Sequence, residues 1–376
     1  MREPVERRRQ RILDAVRSRG TARVTDLAAE LEVSVVTVRR DVEELARGGE
    51  LRRGHGVARS TAPLAADDGL TGTGALTGAS SPQDGDAVGL VVPERHSYLF
   101  EAVHGARAVV EAAGMRLAMH IAPHAPASEH AMSLRALESG VRGLLIAPRW
   151  RSAAAERDDY DWLAGLDVPT VLMERRPSPG SSLHAMDSVR SDHWYGVHLA
   201  LEHLTALGHR RIVLAARDDS PTARTLRSAF AQIATEHEGI DDWVVVLSSP
   251  GAVPEPAAPE SSTPPLDLAA VLRERRATAA ILHGDVDALM LVQQLQDAGL
   301  QVPRDCSVIA YDDVVAALGS TPLSAVAPPK EEIGRAAAEL LLRRLAHPPG
   351  ARPEAVRRME LLPDLKVRGS TARASQ

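Results

Sequence analysis

The sequence predicts a multidomain protein in which a small α+β domain precedes a larger α/β domain. Three observations predict this arrangement. Residues 1–60 are basic and carry short amphipathic helical patterns. Residues 59–86 are rich in Ala, Gly, Thr and Ser and show no helical or strand period, which is typical of a flexible linker. From Val88 onward, short apolar runs alternate with amphipathic segments. The predicted domains are therefore 1–58 and 87–371, joined by that linker.

The charge of the chain is unevenly distributed. Residues 1–60 hold 14 arginines against 10 acidic residues, whereas the whole chain has a net charge of −6. A basic first domain on an acidic remainder favours a localised anionic partner such as DNA over general adhesion to polyanions.

Composition also limits the chemistry of the chain. Cys306 is the only cysteine, which excludes an intrachain disulfide and a cysteine-based zinc site. No metal ligand spacing and no Ser-His-Asp pattern is present, so we expect no enzyme activity, no metal and no cofactor. Three histidines, His120, His124 and His193, are interpreted as surface or loop residues. No apolar run is long enough to span a membrane and no signal peptide is evident, so we expect a cytoplasmic protein without a membrane partner.

The first domain contains a helix suited to reading DNA. Val35, Val38, Val42 and Leu45 share one helical face, and Ser34 can cap the start of the helix. Hydroxyl and guanidinium groups then point away from the buried face. Arg can donate to guanine or phosphate and Thr can contact phosphate or a thymine methyl group, although the pattern alone also fits a solvated surface helix. The predicted DNA-contacting residues of this segment are Ser34, Val36, Thr37, Arg39 and Arg40.

A short basic segment follows this helix. Gly48 and Gly49 are expected to end the helix, and residues 50–57 are short, glycine-bounded and basic. This pattern predicts a β-wing that contacts the DNA backbone or minor groove, with a basic linker as the alternative. The predicted DNA-contacting residues of the wing are Arg52, Arg53 and His55.

Residues 9–58 resemble the winged helix-turn-helix of the DeoR family. The matching motifs are Leu27-Ala28, Val33-Ser34, Thr37-Val38-Arg39-Arg40-Asp41, Leu45 and Arg53-Gly54-His55-Gly56-Val57-Ala58. The resemblance implies a DNA-binding domain.

The remainder of the chain predicts parallel sheets covered by helices. The predicted strands are Val88–Val92, Met115–Ile121, Gly143–Ile146, Thr170–Met173, Arg211–Ala215, Trp243–Leu247, Ala279–Leu282 and Ser307–Tyr311. The predicted helices include Tyr98–Ala113, Ser191–Leu207, Val286–Ala298 and Lys330–Leu345. About 280 residues of this pattern are more than a single sheet usually holds, so two similar lobes are expected. Ligands of such folds bind at the carboxyl ends of the strands.

Residues 87–371 resemble the two-lobed, periplasmic-binding-protein-like sensor domain of the LacI family. The matching motifs include Val88-Gly89-Leu90-Val91-Val92-Pro93, Gly208-His209-Arg210-Arg211-Ile212, Val302-Pro303-Arg304-Asp305-Cys306-Ser307-Val308-Ile309 and Leu365-Lys366-Val367-Arg368-Gly369. The resemblance implies two lobes joined by three crossovers and a homodimer or homotetramer. The expected N-lobe comprises about 87–186 plus 314–328, and the C-lobe about 187–313 plus 329–371.

The resemblance and the strand ends together indicate effector-binding residues. Tyr98 and Leu99 match positions that line the cleft of the family, and Asp285 matches its carboxylate that accepts effector hydroxyl or N–H groups. Two arginines compete for the family's effector-binding position, because the local motif is one residue out of register. The predicted effector-binding residues are Tyr98, Leu99, Glu174, Arg175, Arg224, Arg227 and Asp285.

These features predict a sequence-specific transcription regulator. We expect a repressor of carbohydrate or nucleoside catabolism genes that binds a palindromic double-stranded operator and responds to a sugar or nucleoside effector. The alternative is a DNA-binding regulator whose cleft docks a protein partner. Because a flexible linker transmits little torque, coupling between effector and DNA is expected to be weak or to operate through dimer assembly.

Overall fold

The chain folds as two compact units, residues 1–81 and 82–376. A computed structural model describes residues 8–9, 11–13, 21–23, 27–28, 30–31, 33–47, 51–54, 57–60, 87–94, 97–248, 266–347 and 354–374. The predicted linker, residues 59–86, lies outside the described residues apart from its first two positions, which end a strand.

The first unit is a small α+β domain. Residues 8–9, 11–13, 27–28 and 30 are helical, and helix α1 spans Val35–Arg47. An antiparallel sheet is formed in the order β1, β3, β2. Its strands are β1 (Thr21–Arg23), β2 (Leu51–Gly54) and β3 (Val57–Ser60). The β2–β3 hairpin occupies the place of the predicted wing.

The core of this unit confirms most of the predicted buried face of α1. Val38, Val42 and Leu45 of α1 are buried. They pack with apolar residues of the two preceding helical segments, which are Ile12, Leu13, Leu27, Ala28 and Leu31. The exposed face of α1 is therefore the face opposite Val38 and Val42.

The second unit contains two six-stranded sheets, which define two lobes. The N-lobe sheet has the order β14-β8-β7-β6-β4-β5, and all of its pairs are parallel. Its strands are β4 (Ala87–Pro93), β5 (Arg116–Ala122), β6 (Leu144–Ile146), β7 (Thr170–Met173), β8 (Asp187–Ser191) and β14 (Arg358–Leu361). Its helices are α2 (Phe100–Ala112), α3 (Ser128–Glu138), α4 (Ala153–Asp158), α5 (Tyr160–Ala164) and α10 (Lys330–Leu345).

The C-lobe sheet has the order β10-β9-β11-β12-β13-β15 and is parallel except for β15 at its edge. Its strands are β9 (Arg211–Ala216), β10 (Asp242–Leu247), β11 (Ala279–His283), β12 (Ser307–Tyr311), β13 (Ser324–Ala327) and β15 (Asp364–Lys366). Its helices are α6 (His193–Ala206), α7 (Pro221–Glu236), α8 (Leu268–Arg275) and α9 (Asp285–Asp297). Parallel sheets buried on both faces account for the nearly continuous apolar strands, such as 212–216.

The three expected crossovers are present. The chain passes from the N-lobe to the C-lobe between β8 and α6, returns between β13 and α10, and crosses again between β14 and β15. The predicted lobe boundaries are wrong at all three points. Residues 187–191 pair with β7 in the N-lobe, and residues 324–327 pair with β12 in the C-lobe. Residues 358–361, assigned to the C-lobe, also pair in the N-lobe sheet.

Helix α10 also belongs to the N-lobe, although its residues were assigned to the C-lobe. Its side chains share a core with those of α2, and the two helices cross at small residues. A Cβ on Gly334 would lie 1.8 Å from the carbonyl oxygen of Ala102, and a Cβ on Gly105 would lie 2.0 Å from that of Glu331. This close approach places α10 on α2 and requires glycine at both positions.

Asp187 ties the last crossover region to the N-lobe. Its carboxylate is buried and accepts bonds from Arg344 Nε at 2.8 Å, Arg343 Nη2 at 3.3 Å and the backbone N–H of Arg357 at 2.6 Å. Burial alone would raise the pKa of Asp187, but the hydrogen bonds from Arg344 and Arg357 hold the pKa below its ordinary value.

Candidate functional site

The exposed face of helix α1 carries part of the predicted DNA-contacting set. Ser34 Oγ accepts a hydrogen bond from the backbone N–H of Thr37 at 3.2 Å and lies 2.8 Å from Thr37 Oγ1, so it caps the helix as predicted. Arg40 is exposed two turns into the helix, and Thr37 is half-buried. Val36 and Arg39 lie on the helix and Arg52 and Arg53 on β2, but their side chains are outside the described part of the chain, as is the whole of His55.

Asp41 fixes α1 against the first helical segment, a role that our reading of the sequence missed. Its carboxylate is 3% exposed and accepts bonds from Arg8 Nε at 2.6 Å and Arg9 Nε at 3.2 Å. The signal was available, because Asp41 lies three residues after Val38 and four before Leu45, on the buried face of the helix. Arg40 is therefore presented from a helix whose orientation depends on a buried ion pair.

A cavity of about 330 Å³ lies between the lobes of the second unit, where strand ends of both sheets meet. The N-lobe wall comes from the segments that follow β6 and β7 and from β8, and the C-lobe wall comes from the starts of α6 and α7. The lining residues are Trp150, Glu156, Glu174, Arg176, Pro177, Ser178, Pro179, Arg190, His193, Trp194, Pro221, Thr222, Arg224, Thr225 and Ser228. Of the seven predicted effector-binding residues, Glu174 and Arg224 line this cavity.

Glu174 is the centre of a buried polar network beside the cavity. Its Oε1 accepts from Tyr98 OH at 2.7 Å and from Ser191 Oγ at 2.8 Å, and its Oε2 accepts from the backbone N–H of Ser191 at 3.1 Å. Burial and the adjacent Glu174 raise the pKa of Tyr98, so its hydroxyl remains a donor. Tyr98 thus holds Glu174 from behind the cavity wall, and Leu99 packs into the N-lobe core.

Arg175 also lies behind the wall. Its guanidinium donates to the carbonyl oxygens of Pro148 and Glu174, and burial lowers its pKa to about 10. It positions the loops that follow β6 and β7, and it does not line the cavity.

Asp285 has a structural role in this structure. Its Oδ2 accepts the backbone N–H groups of three consecutive residues, Val314, Val315 and Ala316. The carboxylate is buried, fixes the loop after β12 and is not part of the cavity wall. The expected contact between Asp285 and an effector stays a prediction.

Arg224 is the arginine of the pair that faces the cleft. Its Nη1 donates across the cleft to the carbonyl oxygens of Trp150 at 3.0 Å and Arg151 at 3.1 Å, and its Nη2 lies 3.4 Å from Glu156 Oε2. Arg227, almost one turn further along α7, is half-buried, and its Nη1 has no hydrogen-bond partner among the described residues. The register question left open by the sequence is answered in favour of Arg224.

The interpretation of His193 as a surface or loop residue is wrong. The ring is buried at the start of α6, with Nδ1 3.1 Å from Tyr311 OH and Nε2 3.8 Å from Glu174 Oε2. Burial lowers the pKa of His193, and the opposing effect of Glu174 is smaller, so the ring is neutral at pH 7. It connects the polar networks of the two lobes at the first crossover.

Comparison with known protein families identifies both units. Residues 8–63 match a DeoR-like helix-turn-helix domain, and residues 201–371 match a periplasmic binding protein-like domain. The regulator reg1 of Streptomyces lividans is 29% identical over 376 residues, covering 94% of this chain and 98% of its own length. The chain is a transcription regulator that joins a DeoR-like helix-turn-helix domain, the head, to a periplasmic binding protein-like sensor domain. The prediction that it is not an enzyme agrees with these relatives, which are named as transcription regulators.

One further relative and one solved structure are similar to this regulator. It is 26% identical over 328 residues to the arabinose metabolism transcriptional repressor of Geobacillus stearothermophilus, covering 84% of this chain and 82% of the repressor. A LacI family regulator from Enterococcus faecium, solved with bound ribose, covers 77% of this chain and 100% of its own with a TM-score of 0.57 and 21% identity. That structural match confirms the predicted two-lobed fold.

Within the described ranges, no helix combines the length and the apolar character needed to cross a membrane. No cluster of three or more His, Cys, Asp or Glu side chains in the same ranges could hold a metal ion.

Proposed function

We propose that this regulator binds operator DNA through the exposed face of α1 and the β2–β3 wing. The DNA-contacting set is Ser34, Val36, Thr37, Arg39, Arg40, Arg52, Arg53 and His55. The exposure of Arg40, opposite the buried Val38 and Val42, supports this assignment. Each head reads one half-site, so two heads in a homodimer or homotetramer require a palindromic operator.

We further propose that a small polyhydroxylated molecule in the interlobe cavity controls DNA binding. The observation that carries this proposal is the cavity itself, which joins both lobes, has walls of indole and charged groups, and measures about 330 Å³. That volume suits a sugar-sized ligand and is too small to dock a folded protein partner. Relatives named as repressors of sugar metabolism, and a related structure with bound ribose, favour a carbohydrate effector.

The DNA-binding part is tested by a pair of substitutions that separate base reading from backbone attraction. Arg40→Ala should weaken binding to the specific operator more than to unrelated DNA. Arg52→Ala should weaken both equally and lower the salt dependence of binding by about one phosphate contact. Equal loss on both kinds of DNA for Arg40→Ala would contradict its role in reading bases.

The effector part is tested by titrating the full chain with sugars and nucleosides while recording tryptophan fluorescence and operator mobility shift. Trp150 and Trp194 line the cavity, so a bound effector should change their emission. The same compound should alter operator affinity, because a ligand that prefers one lobe arrangement shifts the equilibrium. A compound that changes fluorescence without changing operator binding would refute the regulatory link.

A further inference from the structure

The two carboxylates of the cavity wall, Glu174 and Glu156, already accept hydrogen bonds from donors of the protein. Glu174 accepts three hydrogen bonds from Tyr98 and Ser191. Glu156 accepts from Tyr160 OH at 2.5 Å and Ser178 Oγ at 3.2 Å, in addition to its ion pair with Arg224. A neutral sugar presents hydroxyl donors, which need acceptors in the binding site. The two carboxylates of this cavity offer little remaining capacity to accept them.

The carboxylate that could have supplied such an acceptor is also engaged. Asp285 directs one oxygen to three backbone N–H groups of residues 314–316 and lies outside the cavity wall. The carboxylates at or near the cavity are therefore engaged on both lobes.

Donors, in contrast, are in excess on the N-lobe wall. Arg190 donates through Nε at 3.0 Å and Nη2 at 2.7 Å to Glu360 Oε1, and no described residue accepts from its Nη1. Arg176 contacts the same oxygen through Nη1 at 3.6 Å, and 53% of its side chain is exposed. Two guanidinium groups thus share one carboxylate oxygen at the cavity edge. Their remaining N–H groups form a site for a small oxyanion.

We propose that the effector is an anionic sugar derivative whose phosphate or carboxylate group binds between Arg176 and Arg190. This inference rests on the proposed function, because it specifies the effector of the same cavity. Trp150 and Trp194 supply the apolar part of the wall that the carbon skeleton contacts, and Arg224 faces the ligand from the C-lobe. An oxyanion brings charged acceptors and no donors to a cavity with two guanidinium groups at its edge, whereas each hydroxyl of a neutral sugar also brings a donor that needs an acceptor of its own.

The experiment uses matched sets of ligands with the full chain: glucose, gluconate and glucose 6-phosphate, and ribose, ribonate and ribose 5-phosphate, with inorganic phosphate alone as a control. Binding is measured by tryptophan fluorescence and by thermal shift. At least one anionic member should bind about tenfold or more tightly than its neutral parent, because charge-assisted hydrogen bonds are roughly twice as strong as neutral ones. The two anionic arms distinguish a phosphate from a carboxylate as the source of the oxyanion.

Two variants locate the effect. Arg176→Gln should reduce the preference for the anionic member to less than threefold and leave affinity for the neutral parent unchanged. Because the Arg176 side chain is exposed, the substitution should leave folding intact, and the thermal midpoint checks this directly. Arg227→Gln is the matched control, because Arg227 carries the same charge on the C-lobe but does not line the cavity, and it should retain the preference.

The outcomes separate this inference from the proposed function. Equal or tighter binding of the neutral parent, binding of no anionic member, unchanged preference in Arg176→Gln, or binding of inorganic phosphate as tight as that of the sugar phosphate each overturns the inference. If a neutral sugar binds and alters operator affinity, the proposed function stands without it. If no member of either class binds, the effector part of the proposed function fails as well.

Discussion

The substitution Asp41→Asn tests whether a buried ion pair holds the DNA-reading helix in place. Asp41 is 3% exposed and its carboxylate joins two arginines of the first helical segment. Asparagine keeps the size of the side chain but removes its charge. The guanidinium groups of Arg8 and Arg9 would then face a neutral group inside the domain.

The expected loss follows from the exposure of each partner. Removing one member of a buried ion pair costs about 3–5 kcal/mol. The Arg8 side chain is 12% exposed, so loss of its ion pair with Asp41 approaches this cost. The Arg9 side chain is 32% exposed, so solvent screens its ion pair with Asp41 to below about 1 kcal/mol. One remaining hydrogen bond to the amide recovers part of the loss. We expect the free energy of unfolding of the head to fall by about 2–4 kcal/mol. A domain of this size has little stability in reserve, so operator binding should fall with the folded fraction.

The assay exploits the distribution of tryptophan. All four tryptophans lie between residues 150 and 243, so that their fluorescence reports on the sensor unit alone. Urea unfolding followed by far-UV circular dichroism should show an earlier helical loss in Asp41→Asn, while the fluorescence transition stays in place. Arg40→Ala is the control, because this exposed side chain should change stability by less than about 0.5 kcal/mol while still weakening DNA binding. An unchanged circular dichroism transition in Asp41→Asn would refute the reasoning.

Three further predictions concern the sensor. Arg224→Ala should weaken effector binding about tenfold or more in a fluorescence titration, because it removes the hydrogen bonds that cross the cleft, whereas Arg227→Ala should change it less than threefold. Asp187→Asn should lower the free energy of unfolding in urea by about 2–4 kcal/mol at pH 7, while Asp364→Asn, 77% exposed, should change it by less than about 0.5 kcal/mol. Because the folded pKa of Asp187 is lowered, its stabilisation is present above the unfolded pKa of about 3.9 and is lost as pH falls through the folded pKa, so the difference between wild type and variant should shrink as pH falls below about 3.9. Gly334→Ala should lower the melting temperature of the sensor by many degrees, because its Cβ would lie 1.8 Å from a backbone oxygen of α2.

The buried strands were predictable because their composition reflects their environment. The prediction over 170–173 matches β7 residue for residue, and that over 307–311 matches β12, since strands covered on both faces consist of apolar residues. Strand β8 was missed because its sequence, Asp-Ser-Val-Arg-Ser, contains one apolar residue. Its burial is made favourable by partners distant in sequence, such as Arg344 for Asp187, which no local pattern reveals.

The predicted lobe boundaries were wrong for a related reason. Each crossover is a short segment, and the sequence on either side of it has the same strand–helix alternation in both lobes. What assigns α10 to the N-lobe is contact between Gly334 and α2, more than 200 residues earlier in the chain. Such a contact depends on tertiary packing and is invisible to periodicity.

Among the residues of the cleft, some could be located from the sequence and others could not. Arg224 was found because resemblance located its helix, and the structure selected it over Arg227. His193 was missed because a single polar ring has no pattern of its own, and its role arises only where Tyr311 of one lobe and Glu174 of the other meet it. Residues that act at a junction between lobes need the three-dimensional structure for their assignment.

The bonds made by Arg224 determine what an effector has to supply. Carbonyl oxygens of the N-lobe already accept its N–H groups, so part of the free energy that holds the lobes together comes from the protein itself. An effector that bridges the lobes needs to add only a differential affinity of a few kcal/mol, since population shift depends on the difference in affinity between arrangements and not on total affinity. An anionic ligand between Arg176 and Arg190 would compete with Glu360 for the same guanidinium groups. Glu360 lies on β14, one residue before the end of the strand that leads into the third crossover, so that competition would act directly on a segment joining the lobes.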